Sequence, residues 1–261
     1  MSESPFVLRN DDGAVATLTL DRPRSRNSLS MGMLRALGEA LAGIREDPAV
    51  RVVILAGNGP AFCAGHDLKE LRDSGYDPGY VDGLFALCSE VMQAIVRLPK
   101  PVIARVHGVA TAAGAQLVAS ADLAFAAEDA RFATPGANIG LFCSTPMVAL
   151  TRNVAPKHAM RMLLTGELID AATALRIGLV NELAPAAELE ARTMDCARGL
   201  AGKSPLTLAI GKEAFHRQAG LPLAEAYAYA GAVMARNLRT EDAREGIAAF
   251  LDKRAPVWTG R

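Results

Sequence analysis

AFCAGHDLKEL (61–71) and HGVATAAGAQLVASAD (107–122) follow one local plan. Each comes after an apolar, β-branched run that reads as a buried strand, VRVVILAG (50–57) and PVIARVHG (101–108). Each then passes through small residues into a helical pattern. Twice the chain therefore makes a strand, a tight turn and a helix start. Backbone N–H groups at a helix N-terminus lack intrahelical partners and are ready donors to a negative oxygen. Two such ends brought together would make an oxyanion hole.

Working outward, the first half alternates strands and helices. Residues 5–9 and 14–20 read as strands around an Asn10–Gly13 turn, and 31–46 as a helix with Ser30 as its N-cap. A strand at 50–56 leads into the first key segment. A helix over 80–97 ends before Pro99 and Pro101, and a strand at 102–107 leads into the second. LAFAA (123–127) and RFAT (131–134) read as further strands. The pattern predicts βαβ units and an α/β class. After about residue 145, segments at 146–153, 156–164, 170–176, 187–201, 205–218, 221–236 and 240–252 all read as helices, with LVNEL (179–183) the one strand candidate. The Ala-rich segment 221–236 is apolar on more than one face, which oligomer contact or burial under its own domain would each explain.

The 261 residues suit one large domain, or one domain with an appendage. A hydrophobic fraction of 51% with 21% charged residues fits a large buried core. Lys+Arg and Asp+Glu both number 28, so no net field attracts nucleic acid or an acidic membrane. Cys63, Cys88, Cys143 and Cys196 form neither a CxxC pair nor a ligand cluster with the histidines, so no metal is expected. MSESPFVLRNDDG lacks the apolar core of a signal peptide and no apolar run approaches a membrane-spanning length. The expectation is a cytoplasmic protein with no membrane partner.

RPRSRN (22–27) places three arginines between a strand and a helix. It reads either as a solvated basic loop or as a phosphate clamp. Gly65 permits a turn that a Cβ would obstruct. Asp67 suits the cap of the following helix. His66 offers its backbone N–H, its imidazole, or neither. Ala112, Ala113 and Gly114 leave the backbone open to a bulky ligand, or allow close helix–sheet packing. ARGLAGKS (197–204) lacks the first glycine of a Walker A loop and lies between helices; GxSxG and HExxH are absent.

Taken together, the sequence resembles the enoyl-CoA hydratase/isomerase (crotonase) superfamily over nearly its whole length, and most of all the enoyl-CoA hydratase domain-containing subgroup. RPRSRNSL (22–29) is similar to its RPxxxNAL segment, and the two key stretches to its oxyanion segments. RFATPGANIGL (131–141), GLVNELAP (178–185) and EGIAAFLDKRAPVW (245–258) are similar to later landmarks. The resemblance implies a crotonase (ClpP-like) spiral of ββα units over 1–200. It also implies a C-terminal helical region over 201–261 that oligomerises as a homotrimer or a dimer of trimers. The implied ligand is an acyl-CoA thioester, with coenzyme A part of the substrate and no separate cofactor. The N–H groups of His66 and Ala113 would hold the thioester oxygen. Arg24, Ser25, Arg26, Ala64, Asp67 and Leu68 would line the CoA, with Phe250 and Lys253 joining from the C-terminal helix.

The same resemblance places the two glutamates of typical hydratases at Gln116 and Gly136, where neither carboxylate is present. An amide holds a water but does not take its proton at neutral pH. Isomerase-type members place an acid near Ser144, which is again no carboxylate. Hydration by an unusual route, decarboxylation or hydrolysis of a thioester, and acyl-CoA binding without turnover are thus the functions implied. The AGHDL segment also resembles that of methylmalonyl-CoA decarboxylases, where His66 would orient a substrate carboxylate. Should hydration be absent, restoring Gln116→Glu together with Gly136→Glu tests whether the cradle lacks only proton transfer.

Overall fold

Val7–Asp12 (β1) and Val15–Leu20 (β2) pair antiparallel around Gly13 and Ala14, in the computed structural model, which describes residues 5–261. The turn is tighter than expected. Strand β1 lies at the sheet edge, where polar Asn10, Asp11 and Asp12 stay exposed while pairing. Met31–Glu46 (α1) has the predicted boundaries, because its determinants are local. Ser30 accepts from the Met33 N–H at 3.1 Å, and Met33, Leu34, Leu37, Leu41 and Ile44 make one buried stripe.

The core is built by repetition. Val52–Gly57 (β3), Ala61–Cys63 (β4) and Leu68–Asp73 (α2) form the first unit. After the long helix Pro78–Arg97 (α3), Val102–Val106 (β5), Val109–Thr111 (β6) and Ala113–Ser120 (α4) form the second. Leu123–Ala127 (β7) and Arg131–Ala133 (β8) begin the third, which continues through a 3-10 turn, Pro135–Ile139, into Ser144–Leu150 (α5). The first strand of each unit enters one sheet and the second strand another. With Ile169–Asp170 (β9) and Glu182–Ala184 (β10), the orders are β1-β2-β3-β5-β7-β10 and β4-β6-β8-β9. This is the expected ββα spiral. Strands β4, β6 and β9 went unread in the sequence because two or three residues are too few to establish a period of two.

Helix α3 corrects one expectation, because by length and composition it could cross a membrane. Its Asp77 cap, and its buried Leu84, Cys88, Val91, Met92 and Ile95, instead pack it into the core beside α1 and α4. The remaining helices are Pro156–Thr165 (α6), Ala171–Arg176 (α7), Leu189–Ala201 (α8), Pro205–Gln218 (α9), Leu223–Leu238 (α10) and Glu241–Leu251 (α11). Helix α8 lies across β2, β3, β5 and β7, whereas α9 and α10 bury no residue fully. Lys212 hooks α9 to the core. Its Nζ lies 2.6 Å from Asp122 Oδ2 and donates to the carbonyls of Ile95 at 3.0 Å and Lys100 at 3.1 Å. Burial lowers the Lys212 pKa, and the Asp122 carboxylate opposes that shift.

Candidate active site

The first turn is shaped by its neighbours in RPRSRN. Asn27 is fully buried in a left-handed conformation, φ +54°. Its Oδ1 accepts from the Arg22 N–H at 2.8 Å. Its Nδ2 donates to the carbonyls of Asn58 at 2.8 Å, Ala61 at 2.9 Å and Phe62 at 3.1 Å. Asn27 thus ties the arginine loop to β4, a positioning role that the sequence reading missed. Its only local sign was a short amide side chain in a loop, the type that tolerates φ > 0. The Ala64 N–H donates to Arg26 O at 3.0 Å, and the Leu29 N–H to Gly65 O at 2.7 Å. Asp67 caps α2 as expected, accepting from the N–H groups of Lys69 and Glu70 at 3.0 and 3.2 Å and from Ser28 Oγ at 2.9 Å. Its carboxylate is thereby used within the fold, in the capping role that suits it.

The second turn touches the first. Gly65 has φ +93°, and a Cβ built on it would lie 2.8 Å from Ala112 Cβ and 3.2 Å from Ala113 N. Ala112 itself has φ +50° and ψ −119°, held by its N–H donating to Ala133 O at 2.9 Å. Thr111 Oγ1 donates to Ala64 O at 3.1 Å. The His66 and Ala113 N–H groups follow directly on these contacts. Among the described residues, neither donates to a protein acceptor. Gly114 resolves toward packing, since a Cβ there would lie 2.1 Å from Cys63 O. Close packing therefore holds at Gly114, beside an Ala113 N–H without a protein acceptor among the described residues.

Around the free N–H groups lie buried polar atoms without partners. Gln116, one turn into α4, is 4% exposed, and its Oε1 meets no donor. Thr134 Oγ1 and His66 Nε2 are likewise unpartnered. Burial lowers the His66 pKa against the pull of its contact with Leu29 and of Glu70. Gly136 is no simple deletion of a side chain, because a Cβ there would lie 1.8 Å from Leu141 O and 2.8 Å from Cys143 Sγ. A side chain at 136 would meet the returning 137–143 loop, which occupies that space. Burial pushes the Cys143 thiol up, which suits a packing thiol over a nucleophile.

Arg24, Ser25 and Arg26 are exposed on the 3-10 turn Pro23–Ser25 and its cap, next to Ala64; Leu68 is exposed at the start of α2. The structure brings these together at the first turn. Phe250 and Lys253 lie on and just after α11, which packs against α9 and α10. Phe250 is 82% exposed. A cavity of about 980 Å³ lies between the ends of α1 and α3 and helix α9, and none of the site residues lines it.

Residues 10–261 match the family described as enoyl-CoA hydratase/isomerase. The chain is 46% identical over 252 residues to mouse enoyl-CoA hydratase domain-containing protein 3, mitochondrial, covering 96% of this chain and 83% of that protein. It is 37% identical over 272 residues to carnitinyl-CoA dehydratase of Salmonella typhi, with both chains fully covered. The crystal structure of an enoyl-CoA hydratase from Mycobacterium smegmatis superposes with a TM-score of 0.94 at 51% identity, covering 98% and 99% of the two chains. The cytoplasmic expectation is corrected, because the mouse, zebrafish and human relatives are named as mitochondrial. Residues that build a fold carry no address, and targeting leaders are read apart from it.

Proposed function

The chain belongs to the enoyl-CoA hydratase/isomerase family, and from that premise we propose that it stabilises the enolate of an acyl-CoA thioester between the N–H groups of His66 and Ala113 and hydrates an enoyl-CoA. An enzyme of the crotonase type acting on acyl-CoA is the part the family itself carries. The contact between the two turns, which leaves both N–H groups unused, is the observation that supports the site. Preorganised backbone donors of this kind act where charge develops and need no reorganisation at the moment of reaction. Arg24 and Arg26, exposed beside Ala64 and forming no ion pair among the described residues, would meet the CoA phosphates, and Ser25 and Leu68 the pantetheine side.

Gln116 marks the place for a proton carrier. Gln116→Glu keeps the side-chain length and adds a carboxylate without a change of volume. Crotonyl-CoA hydration, followed by loss of absorbance of the conjugated thioester, is expected to rise by about 10²-fold in this variant. Unchanged hydration would place position 116 away from the reacting carbons. Binding of acyl-CoAs without any turnover, across a panel of chain lengths, would favour a binding protein over the enzyme. Decarboxylation of a malonyl-type CoA has less support, because a neutral His66 with its Nδ1 hydrogen toward Leu29 O presents an acceptor at Nε2 and no donor to a carboxylate.

The 201–261 helices are proposed as the oligomerisation region. Leu223, Tyr227, Met234, Phe250 and Leu251 are each more than 70% exposed, an apolar surface of the kind that other copies cover. Light scattering in solution is expected to give three or six times the chain mass of 27.4 kDa. A monomer mass would remove both this assignment and the supply of Phe250 and Lys253 to a neighbouring site.

A further inference from the structure

The side chain of His66 is set up differently from its backbone. Nδ1 lies 3.3 Å from Leu29 O. A carbonyl oxygen only accepts, so Nδ1 carries the hydrogen and Nε2 is left with a bare lone pair. Nε2 is buried and meets no donor. The ring is held edge-on against Phe85 of α3, centroids 5.1 Å apart at 78°. Leu29 and Phe85 together fix both the tautomer and the plane of the ring.

Burial is the leading influence on the ring and lowers its pKa. The charged group that reaches it is Glu70 of α2, whose carboxylate accepts from the Met31 N–H at 2.9 Å and has Tyr80 of α3 beside it. Asp67 is committed to Ser28 and the start of α2. From α3 the ring meets Phe85, which carries no charge. On the other turn, Gln116 Oε1 is a second buried acceptor without a donor. Two unmatched acceptors, one from each turn, call for a ligand that brings hydrogens, such as water or a hydroxyl.

We propose that the His66 imidazole is the proton acceptor of this site, taking a hydrogen from the water that adds to the acyl double bond while Gln116 Oε1 orients that water. This rests on the hydration reading given above. The water oxygen bonds to C3 of the enoyl thioester and one of its hydrogens passes to Nε2. The π pair of C2–C3 moves toward the thioester oxygen, where the His66 and Ala113 N–H groups hold the charge. The imidazolium returns its proton to C2. One water is consumed and His66 ends neutral. The role vacated by carboxylates at 116 and 136 is thereby filled from the first turn.

The test uses the full-length protein with crotonyl-CoA between pH 5 and 9, together with calorimetric binding of acetyl-CoA. In the wild type, kcat is expected to be level at high pH and to fall about tenfold per unit once the imidazole is protonated. His66→Gln keeps the backbone N–H and an amide able to donate to Leu29 O. It is expected to lose about 10²–10⁴ in kcat, with KM and acetyl-CoA binding changed less than about threefold. The acid limb of the profile should vanish in this variant. In His66→Ala, added imidazole should restore part of the rate. A wild type that binds acetyl-CoA but leaves crotonyl-CoA untouched overturns the hydration reading and this role with it. A wild type that hydrates while His66→Gln keeps its kcat and pH profile overturns this role alone.

Discussion

Replacing Gly136 with glutamate is expected to destabilise the protein by about 3 kcal/mol or more and to add nothing to its hydration rate. The reason is backbone, not side chain. Leu141 donates its N–H to Gly136 O at 2.9 Å, and its own carbonyl oxygen lies 1.8 Å from where a Cβ at 136 would sit. Cys143 Sγ closes the other side at 2.8 Å. A flexible side chain could move aside cheaply, but a backbone carbonyl moves only with its loop. Overpacking a well-filled site typically costs about 1–3 kcal/mol, and a backbone contact this short belongs at or beyond the top of that range. For a chain of this size the thermal midpoint should fall by roughly 6–12 °C. Gly136→Ala carries the same Cβ and should melt almost as early, which separates the clash from any effect of charge. A Gly136→Glu variant as stable as wild type, alone or combined with Gln116→Glu, would show that the 137–143 loop moves aside freely. The open cradle implied by family resemblance would then stand.

Gly65→Ala is expected to cost about 10²–10³ in kcat, because the added methyl enters the contact between the two turns. It would lie 2.8 Å from Ala112 Cβ, 3.1 Å from Thr111 O and 3.2 Å from Ala113 N, the last being one of the two proposed donors. Loss of one donor from an oxyanion hole costs about 2.7–4 kcal/mol of transition-state stabilisation, which sets that range. The φ of +93° adds roughly 1–3 kcal/mol of backbone strain in the folded state. Gly13→Ala is the matched control. It carries a similar strain at φ +58° but has open space around its Cβ, so it should lose stability and keep its turnover. Steady-state kinetics and denaturation of both variants check the pair. Equal kcat losses in the two would mean that strain, not closure of the turns, is responsible.

Elements governed by local chemistry were legible in the sequence. Helix α1 over 31–46, β7 over 123–127 and α9 over 205–218 coincide with their expected ranges, because caps, prolines and periodicity lie within the segments themselves. The site was legible in part. The two strand-to-helix turns were legible because small residues between a strand and a helix mark a helix start, and the resemblance implied His66 and Ala113 as donors there. Asn27 was missed, since its bonds to the carbonyls of Asn58, Ala61 and Phe62 span more than thirty residues. Of the second sheet only β8 was read, because β4, β6 and β9 are too short to show a period.

By itself the sequence determined the repeated strand-turn-helix plan, the family and the class of ligand, all of which rest on residues near one another in the chain. Only the tertiary structure decided what each position can do. Gly65 and Ala112 were two permissive residues until contact between their turns set the Ala113 N–H beside Gly65. Gln116 and Gly136 looked like two equal losses of a carboxylate. Burial made the first an acceptor without a donor, and Leu141 O closed the second. His66 was one histidine with three open roles until contact with Leu29 O set where its ring hydrogen lies and burial lowered its pKa. Hydrogen-bond satisfaction and excluded volume are properties of neighbours in space, and those neighbours come from segments that the linear order keeps apart.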